Sequence, residues 1–374
     1  MKVCHMTSAH DSDDSRIFQK ECVSIADDGR FDVYLVAPGE SGFHKNVNII
    51  GVGEKPSSRI KRMLFFSKTV YREALKLDAD IYHFHDPELL SVGLKLKKKG
   101  KKVIFDSHEN TVEQIKIKKY LPELLRRIIS RLYYIGETYI CKKIDAVVFP
   151  CLVNRKNPFE GRCKQTVFIN NLPFLSEFSR VDKKKPKYDI CVIGSLTEER
   201  GITKLLEAVK ITGCKAALAG DFSPSGYKET LENKGLLDGV DCLGTCNRSE
   251  VVELYSVSRM GASTILPVGQ YPTANNLPTK VYECMAMELP VIISDFDYPK
   301  EVMKTYEFGI CVDCTNAQEI AGAIIKLKND PELCEKYGKR GRKAVEEVFN
   351  WETEVEKLVN LYLRILNIEY ERRI

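Results

Sequence analysis

Residues 179–194 read SRVDKKKPKYDICVIG, and how this stretch divides decides the fold. Its first part, 179–189, is polar, rich in lysine and holds Pro186, which suits a linker between domains. From Asp189 the chain becomes strand-like and stops at Gly194, and a strand–helix rhythm restarts at 189–194, 215–220, 240–244, 261–266, 290–295 and 309–313. The same rhythm runs ahead of the linker. Short β-rich runs lie at 2–6, 32–37, 46–52, 80–84, 102–106, 145–149 and 166–170, with helix-length stretches such as 16–27 and 59–77 between them. Alternation of this kind predicts parallel sheets covered by helices on both faces. We therefore expect an α/β protein of two doubly wound domains, 1–178 and 190–350, with 179–189 between them and a terminal helix in 351–374. That helix carries Val355, Leu358, Val359, Tyr362, Ile365 and Leu366 on one face. Ligands of open α/β sheets bind at the carboxyl ends of the strands, so the cleft between two such domains is the default active site.

A length of 374 residues is ample for two cores, and 44% hydrophobic with 29% charged residues is ordinary for a globular protein and excludes wholesale disorder. No run approaches the ~18 consecutive apolar residues of a membrane span. The chain enters a strand at Lys2 with no charged-then-apolar leader. Thirteen cysteines lie scattered, several inside apolar runs (Cys4, Cys191, Cys242), which fits reduced thiols in a cytoplasmic protein better than a disulfide framework. Cys311 and Cys314 have no second Cys or His pair at zinc-ligand spacing.

The net charge of +5 is concentrated. Lys95, Lys97, Lys98, Lys99, Lys101 and Lys102 crowd one stretch, and 116–143 holds eight basic residues against Glu123 and Glu137. Within the latter, Leu121, Leu124, Leu125, Ile128, Leu132 and Ile135 recur at helical spacing with Arg126, Arg127 and Arg131 between them. Such a helix either lies on an anionic membrane or packs its apolar face into the core and turns its basic face outward. Nucleic acid is not an expected partner, because the lysines lack interleaved aromatics.

Five segments carry candidate chemistry. Residues 193–201 (IGSLTEERG) follow the first strand of the second half and open a helix; a Gly194–Ser195 turn lets backbone N–H groups approach an anion, and Arg200 could fork onto a phosphate. An ordinary strand-to-helix turn reads the same way. Residues 275–287 (NNLPTKVYECMAM) place Pro278 at a helix start and Lys280 and Glu283 on one face. A cation for phosphate and a carboxylate for ribose hydroxyls would suit a nucleotide-sugar, and a surface ion pair has the same spacing. Residues 82–90 (YHFHDPELL) and 105–110 (FDSHEN) end successive strands of the first half with His83, His85, Asp86 and His108. These are either cleft histidines that bond substrate or packed strand-end histidines; a metal site is disfavoured because Pro87 ends the strand on which His83 and His85 would share a face. Residues 5–18 hold Arg16, with Asp13 or Asp14 as a helix cap.

Taken together and in order, these segments resemble glycosyltransferase family 4, retaining nucleotide-sugar transferases of the GT-B fold. The resemblance spans Thr7-Ser8 through Phe18, 82–90, 106–109, the run 169–173 (INNLP), 194–201 and 277–291. It implies two Rossmann-like domains facing across a cleft, acceptor on the N-terminal side and donor on the C-terminal side, with helix 351–366 crossing back to the first domain. It implies Arg200 and Lys280 as donor-phosphate contacts, Glu283 as the second carboxylate of a Glu-x7-Glu pattern on the donor ribose, and His108 near the transferred sugar. Arg16, His85, Asp86, Gly194, Ser195, Asn275 and Asn276 complete the expected substrate contacts. No metal and no cofactor beyond the nucleotide-sugar donor are implied. Asn275 stands where the first Glu of the pattern falls, and Ser195 where the family often has Arg. The expected function is transfer to a saccharide or lipid-linked saccharide in cell-surface polysaccharide synthesis, in the cytoplasm or at the inner face of an anionic membrane. The rival readings are a sugar-nucleotide-binding scaffold without transfer, suggested by Asn275, and a nucleotide-sugar epimerase on the same fold.

Overall fold

The computed structural model describes all residues except 109, 118–121, 179–183 and 369–374. Glu109, Lys118, Lys119, Leu121 and the first half of the expected linker therefore lie outside the described residues. The chain forms two compact units, Met1–Asn171 with Thr353–Ile374, and Leu172–Glu352. The changeover comes before the lysine-rich stretch: Leu172 and Phe178 are already core of the second unit.

The first unit is built on an eight-stranded sheet in which β1 (Lys2–Met6), β2 (Asp32–Ala37), β3 (Gly42–His44), β4 (Val47–Gly51), β5 (Ile81–Phe84), β6 (Lys102–Asp106), β7 (Ala146–Phe149) and β8 (Thr166–Phe168) lie in the order β3-β4-β2-β1-β5-β6-β7-β8. All pairings are parallel except β3 with β4. Strand order reverses direction beside β1, so the β1 and β5 carboxyl ends frame the switch point where such sheets bind ligands. Alternation along the strands makes the two faces unlike. One face carries Cys4, Met6, Tyr82, Phe84, Val103 and Phe105 in a continuous apolar core. The register His5↔His83, with Asp106 ending β6 beside His85, sends polar side chains to the other face, all of them buried.

The second unit has a six-stranded parallel sheet of β9 (Tyr188–Ile193), β10 (Ala216–Ala219), β11 (Val240–Gly244), β12 (Ser258–Ser263), β13 (Val291–Ser294) and β14 (Gly309–Val312), in the order β11-β10-β9-β12-β13-β14. Neighbouring residues on one strand feed different cores: Cys191 and Ala217 join one, Ile190 and Ala216 the other. Both faces are therefore covered. Order reverses beside β9, placing the switch point at the ends of β9 and β12.

Five helices matter below: α1 (Glu123–Cys141), α2 (Ile202–Thr212), α3 (Arg248–Ser256), α4 (Thr279–Ala286) and α5 (Trp351–Ile365). The sequence left open which way α1 turns. Its buried residues are Ser130, Glu137 and Cys141, while its apolar stripe faces solvent, with Leu124 72%, Leu132 64% and Ile135 55% exposed. The core-packed alternative is thereby set aside. The face that packs inward is a mixed one: Glu137, anchored by Arg162, sits beside Cys141 in the core and Tyr133 and Ile140 packed against it. Among the described residues no helix is long and apolar enough to cross a membrane. All thirteen cysteines are free.

Candidate functional site

Each unit gathers one group of the expected residues at the carboxyl edge of its own sheet. In the second unit β9 runs into Gly194, which sits at φ +128°, a conformation glycine takes without strain. Gly201 caps α2 in the left-handed region, and a side chain there would strike the carbonyl of Thr264 just past β12. The turn is tied to that neighbour by Leu266 N–H donating to Glu199 O (2.9 Å). These contacts fix the α2 N-terminus beside the end of β12. Ser195 is exposed, and Arg200 lies over the Tyr271 ring, 5.3 Å from its centroid, with no carboxylate partner among the described residues. Free N–H groups at the start of a helix, a glycine turn and an unpaired guanidinium together suit a bound anion.

The crossover from β12 to β13 brings α4 back with its first turn at the same edge. Pro278 precedes it, and Lys280 Nζ lies 3.0 Å from Glu283 Oε2. Glu283 is buried and holds two further partners: Arg248 Nη1 donates to Oε1 (3.0 Å) and Tyr255 OH to Oε2 (3.0 Å). Arg248 also donates to Glu177. Lys280 and Glu283 thus meet as their spacing suggested, within a larger knot. Arg248 and Tyr255 were not foreseen. Both sit on α3, whose Asn247/Glu250 capping box sets where the helix begins and so which way Arg248 points. Asn276 accepts from Tyr282 OH (2.9 Å), and Asn275 lies half-buried in the extended pair Ala274–Asn275.

In the first unit Asp14 caps the helical segment Ser15–Cys22, accepting from the Arg16 and Ile17 amides (2.8 Å each). This turns Arg16 inward. It is buried, donates from Nη2 to Asp106 Oδ2 (3.0 Å) and lies 3.1 Å from Glu21 through Nε. Its Nη1 has no partner, nor is either Glu21 oxygen aligned for a hydrogen bond. Asp86 is buried too; its Oδ2 accepts from Thr7 Oγ1 (2.8 Å), the Ser8 amide and the Ala9 amide (3.1 Å), pinning the loop after β1 to the end of β5. His85 is fully enclosed, and His108 keeps 16% of its side chain exposed.

Burial decides the charge of this group. It would raise Asp106, but the Arg16 guanidinium and bonds from His108 and His85 outweigh it and hold the carboxyl well below its ordinary range. Burial, joined by the Asp106 charge, lifts Glu21 well above its own. Burial pushes His5 and His83 well below the usual imidazole value and His85 down to about 4. At neutral pH the interior therefore holds one Arg⁺–Asp⁻ pair, a protonated Glu21 and neutral rings. Two overlapping sets, His5/Glu21/His83/His85 and Glu21/His85/Asp106/His108, have ligand atoms within 4.8 Å of one another. Their ring nitrogens already bond one another and Arg16 abuts both carboxylates, so the donor set fits a hydrogen-bonded cluster better than a dication.

Comparison with known proteins gives two family matches that together cover most of the chain. A family model described as Glycosyltransferase Family 4 matches residues 26–155, and one described as Glycosyl transferases group 1 matches 175–344. An uncharacterized glycosyltransferase of Methanocaldococcus jannaschii is 23% identical, over 92% of each chain. The capsular polysaccharide biosynthesis glycosyltransferase CapM of Staphylococcus aureus is 28% identical over 46% of each chain. Among solved structures, Anabaena HepE in complex with UDP and glucose aligns over 97% of this chain and 100% of its own, with a TM-score of 0.72 at 13% identity.

Proposed function

The chain belongs to the group 1, family 4 glycosyltransferases, retaining enzymes that use nucleotide-sugars, and we propose that it moves a sugar from a nucleotide-diphosphate donor to a lipid-linked saccharide in cell-surface polysaccharide synthesis. The observation that carries this is the pairing, at one sheet edge, of the Gly194–Arg200 turn with the Lys280–Glu283 knot. Breaking the anomeric bond leaves positive charge on the sugar and negative charge on the departing diphosphate. Arg200, Lys280 and the α2 N-terminus are the groups that would stabilise the diphosphate. Glu283, buried and held by Lys280, Arg248 and Tyr255, offers its remaining lone pairs to ribose hydroxyls. His108 is the first-unit residue that would face the transferred sugar. A UDP donor is the first to try, given the ligand of the Anabaena neighbour.

The lipid-linked acceptor is supported by α1. A solvent-facing apolar stripe flanked by Arg127 and Arg131 matches a helix that lies in an anionic interface. Beside it opens a cavity of about 510 Å³ lined by Arg127, Arg131, Tyr134, Arg162 and the Lys116–Glu113 pair, a setting in which the arginines could take a lipid phosphate.

Thermal shifts with UDP, GDP, ADP and their sugar conjugates test the donor, since a ligand of the folded state raises apparent stability. One nucleotide series should shift the wild type, and Lys280→Ala should lose that shift and turnover together. Unchanged kinetics in Lys280→Ala would sink the phosphate role. Binding without transfer to any acceptor would favour the scaffold reading that Asn275 suggests, and conversion of donor without acceptor an epimerase.

A further inference from the structure

The polar face of the first sheet holds a continuous string of rings that the reaction as described does not use. Tyr362 OH lies 2.7 Å from His83 Nδ1 and 3.0 Å from His5 Nε2. His5 Nδ1 lies 2.9 Å from His85 Nε2, and His85 Nδ1 lies 3.0 Å from His108 Nε2. The inner end is His83 Nε2, buried without a partner; the outer end is His108 Nδ1, on the only ring of the string that reaches solvent.

A neutral imidazole has one donor and one acceptor nitrogen, and a phenol has one proton to give. Because the inner rings stay neutral, the four contacts can be satisfied with all protons pointing outward or all pointing inward; letting Tyr362 accept from both His83 and His5 would satisfy them too, but strands its own buried O–H without an acceptor. In the outward arrangement His83 Nδ1–H donates to Tyr362, Tyr362 to His5 Nε2, His5 Nδ1–H to His85 and His85 Nδ1–H to His108 Nε2. His108 then carries its own proton on Nδ1. The inward arrangement reverses every bond, strips that proton from His108 Nδ1 and leaves a buried N–H on His83 Nε2.

One feature selects the outward arrangement: a buried N–H with no acceptor is the rarer and costlier orphan. Asp106 Oδ2, 3.6 Å from His85 Nδ1 and 3.5 Å from His108 Nε2, accepts from whichever nitrogen holds the shared proton and leaves the choice to the inner end.

We infer that Tyr362, His83, His5 and His85 are positioning residues that act through His108, fixing it as the Nδ1–H tautomer so that it meets its ligand as a hydrogen-bond donor. The chemistry this recognises is a lone pair on oxygen, a sugar hydroxyl or ring oxygen, rather than a proton to be removed. The inference rests on the reading of His108 as a sugar contact, but the tautomer itself does not.

Nitrogen-15 NMR of the full chain, labelled at histidine and free of substrate, reads the tautomer directly. The expected result at neutral pH is a protonated Nδ1 and a bare Nε2 on His108. An Nε2–H tautomer, a doubly protonated ring, or stoichiometric zinc in the purified protein would each overturn the inference. Tyr362→Phe keeps the ring and removes the relay; the His108 signals should then report mixed tautomers, and kcat should fall about 10- to 100-fold, the range for losing the partner of a working histidine, with donor KM nearly unchanged. His108 signals and kcat that match wild type in this variant would refute the relay. Should the variant fail to fold, the wild-type spectrum still decides. His108→Asn, whose amide can stand in for Nδ1–H, should retain more turnover than His108→Gln. If the tautomer is as expected while both variants transfer sugar normally, the string stands and the sugar contact falls.

Discussion

Replacing Leu132 and Leu124 of α1 by Gln tests whether that helix meets a membrane, and the structure sets the size of the effect. Full burial of a Leu side chain is worth about 1.5–3 kcal/mol. With 64% and 72% of these residues exposed, moving each from water into an acyl boundary is worth roughly 1–2 kcal/mol. The double variant should therefore lose about 2–4 kcal/mol, or roughly 30- to 1,000-fold in partition coefficient. Arg131→Gln should lose only about 1 kcal/mol at low salt. That loss should vanish near 1 M salt, where the Debye length falls to about 3 Å. Folding stability should change by no more than about 0.5 kcal/mol in either case, because these side chains contribute little to the core. Co-sedimentation with phosphatidylglycerol and phosphatidylcholine vesicles, at low and high salt, gives the partition coefficients. Wild-type protein that ignores anionic vesicles at low salt would refute the reasoning. So would a double variant that binds them as well as wild type.

Three further outcomes follow from the sites. The buried His5, His83 and His85 take up protons only on unfolding, so below about pH 6.5 they make the native state less stable as pH falls. Glu21, raised in the folded chain, opposes them by losing a proton on unfolding above about 4.5. Between these values unfolding takes up a net two protons, and denaturant melts should show stability rising with pH by about 2–3 kcal/mol per unit; a flat profile would mean the rings are charged or solvated in the native state. Arg248→Ala removes one of three partners of Glu283 without touching the capping box, and titration calorimetry with the active nucleotide should show affinity weakened about ten-fold or more; an unchanged Kd would put Glu283 away from the ligand. Gly220→Ala drives a Cβ into the Gly194 carbonyl at φ +142°, so it should cost about 2–4 kcal/mol in urea melts and weaken nucleotide binding. Gly226→Ala, at φ +89° in open space, should cost only about 1 kcal/mol, and equal costs would contradict the close-approach argument.

Most strands were legible because apolar runs bounded by turn residues carry their own period. Val47–Gly51 was read within 46–52, and Thr166–Phe168 within 166–170. Gly42–His44 was missed, being three exposed residues with no apolar pattern to announce them. Lys280 and Glu283 were legible because three residues of helix bring them together whatever the rest of the fold does. Arg248 and Tyr255 were not, since they reach Glu283 from another helix 35 and 28 residues away in sequence. The orientation of α1 was equally hidden. Periodicity shows that a helix has an apolar face, but only the burial of Ser130, Glu137 and Cys141 shows which side packs. His83, His85 and His108 stood out at strand ends, whereas His5 joined them through register and Tyr362 from 279 residues beyond His83.

That last separation bears on how the chain is made. The first unit is assembled from two pieces, Met1–Asn171 and Thr353–Ile374, while the second is one uninterrupted stretch. At about 5–20 residues per second of synthesis, roughly ten to forty seconds pass between the end of the first piece and the arrival of α5. During that interval the second unit can fold as it emerges, but the polar side of the first sheet still lacks Tyr362. His5 and His83 are then open to water and free to take up protons. The ring string closes after the second unit has been made, so the arrival of α5, the loss of water from this interior and the fixing of His108 fall together in a single late event.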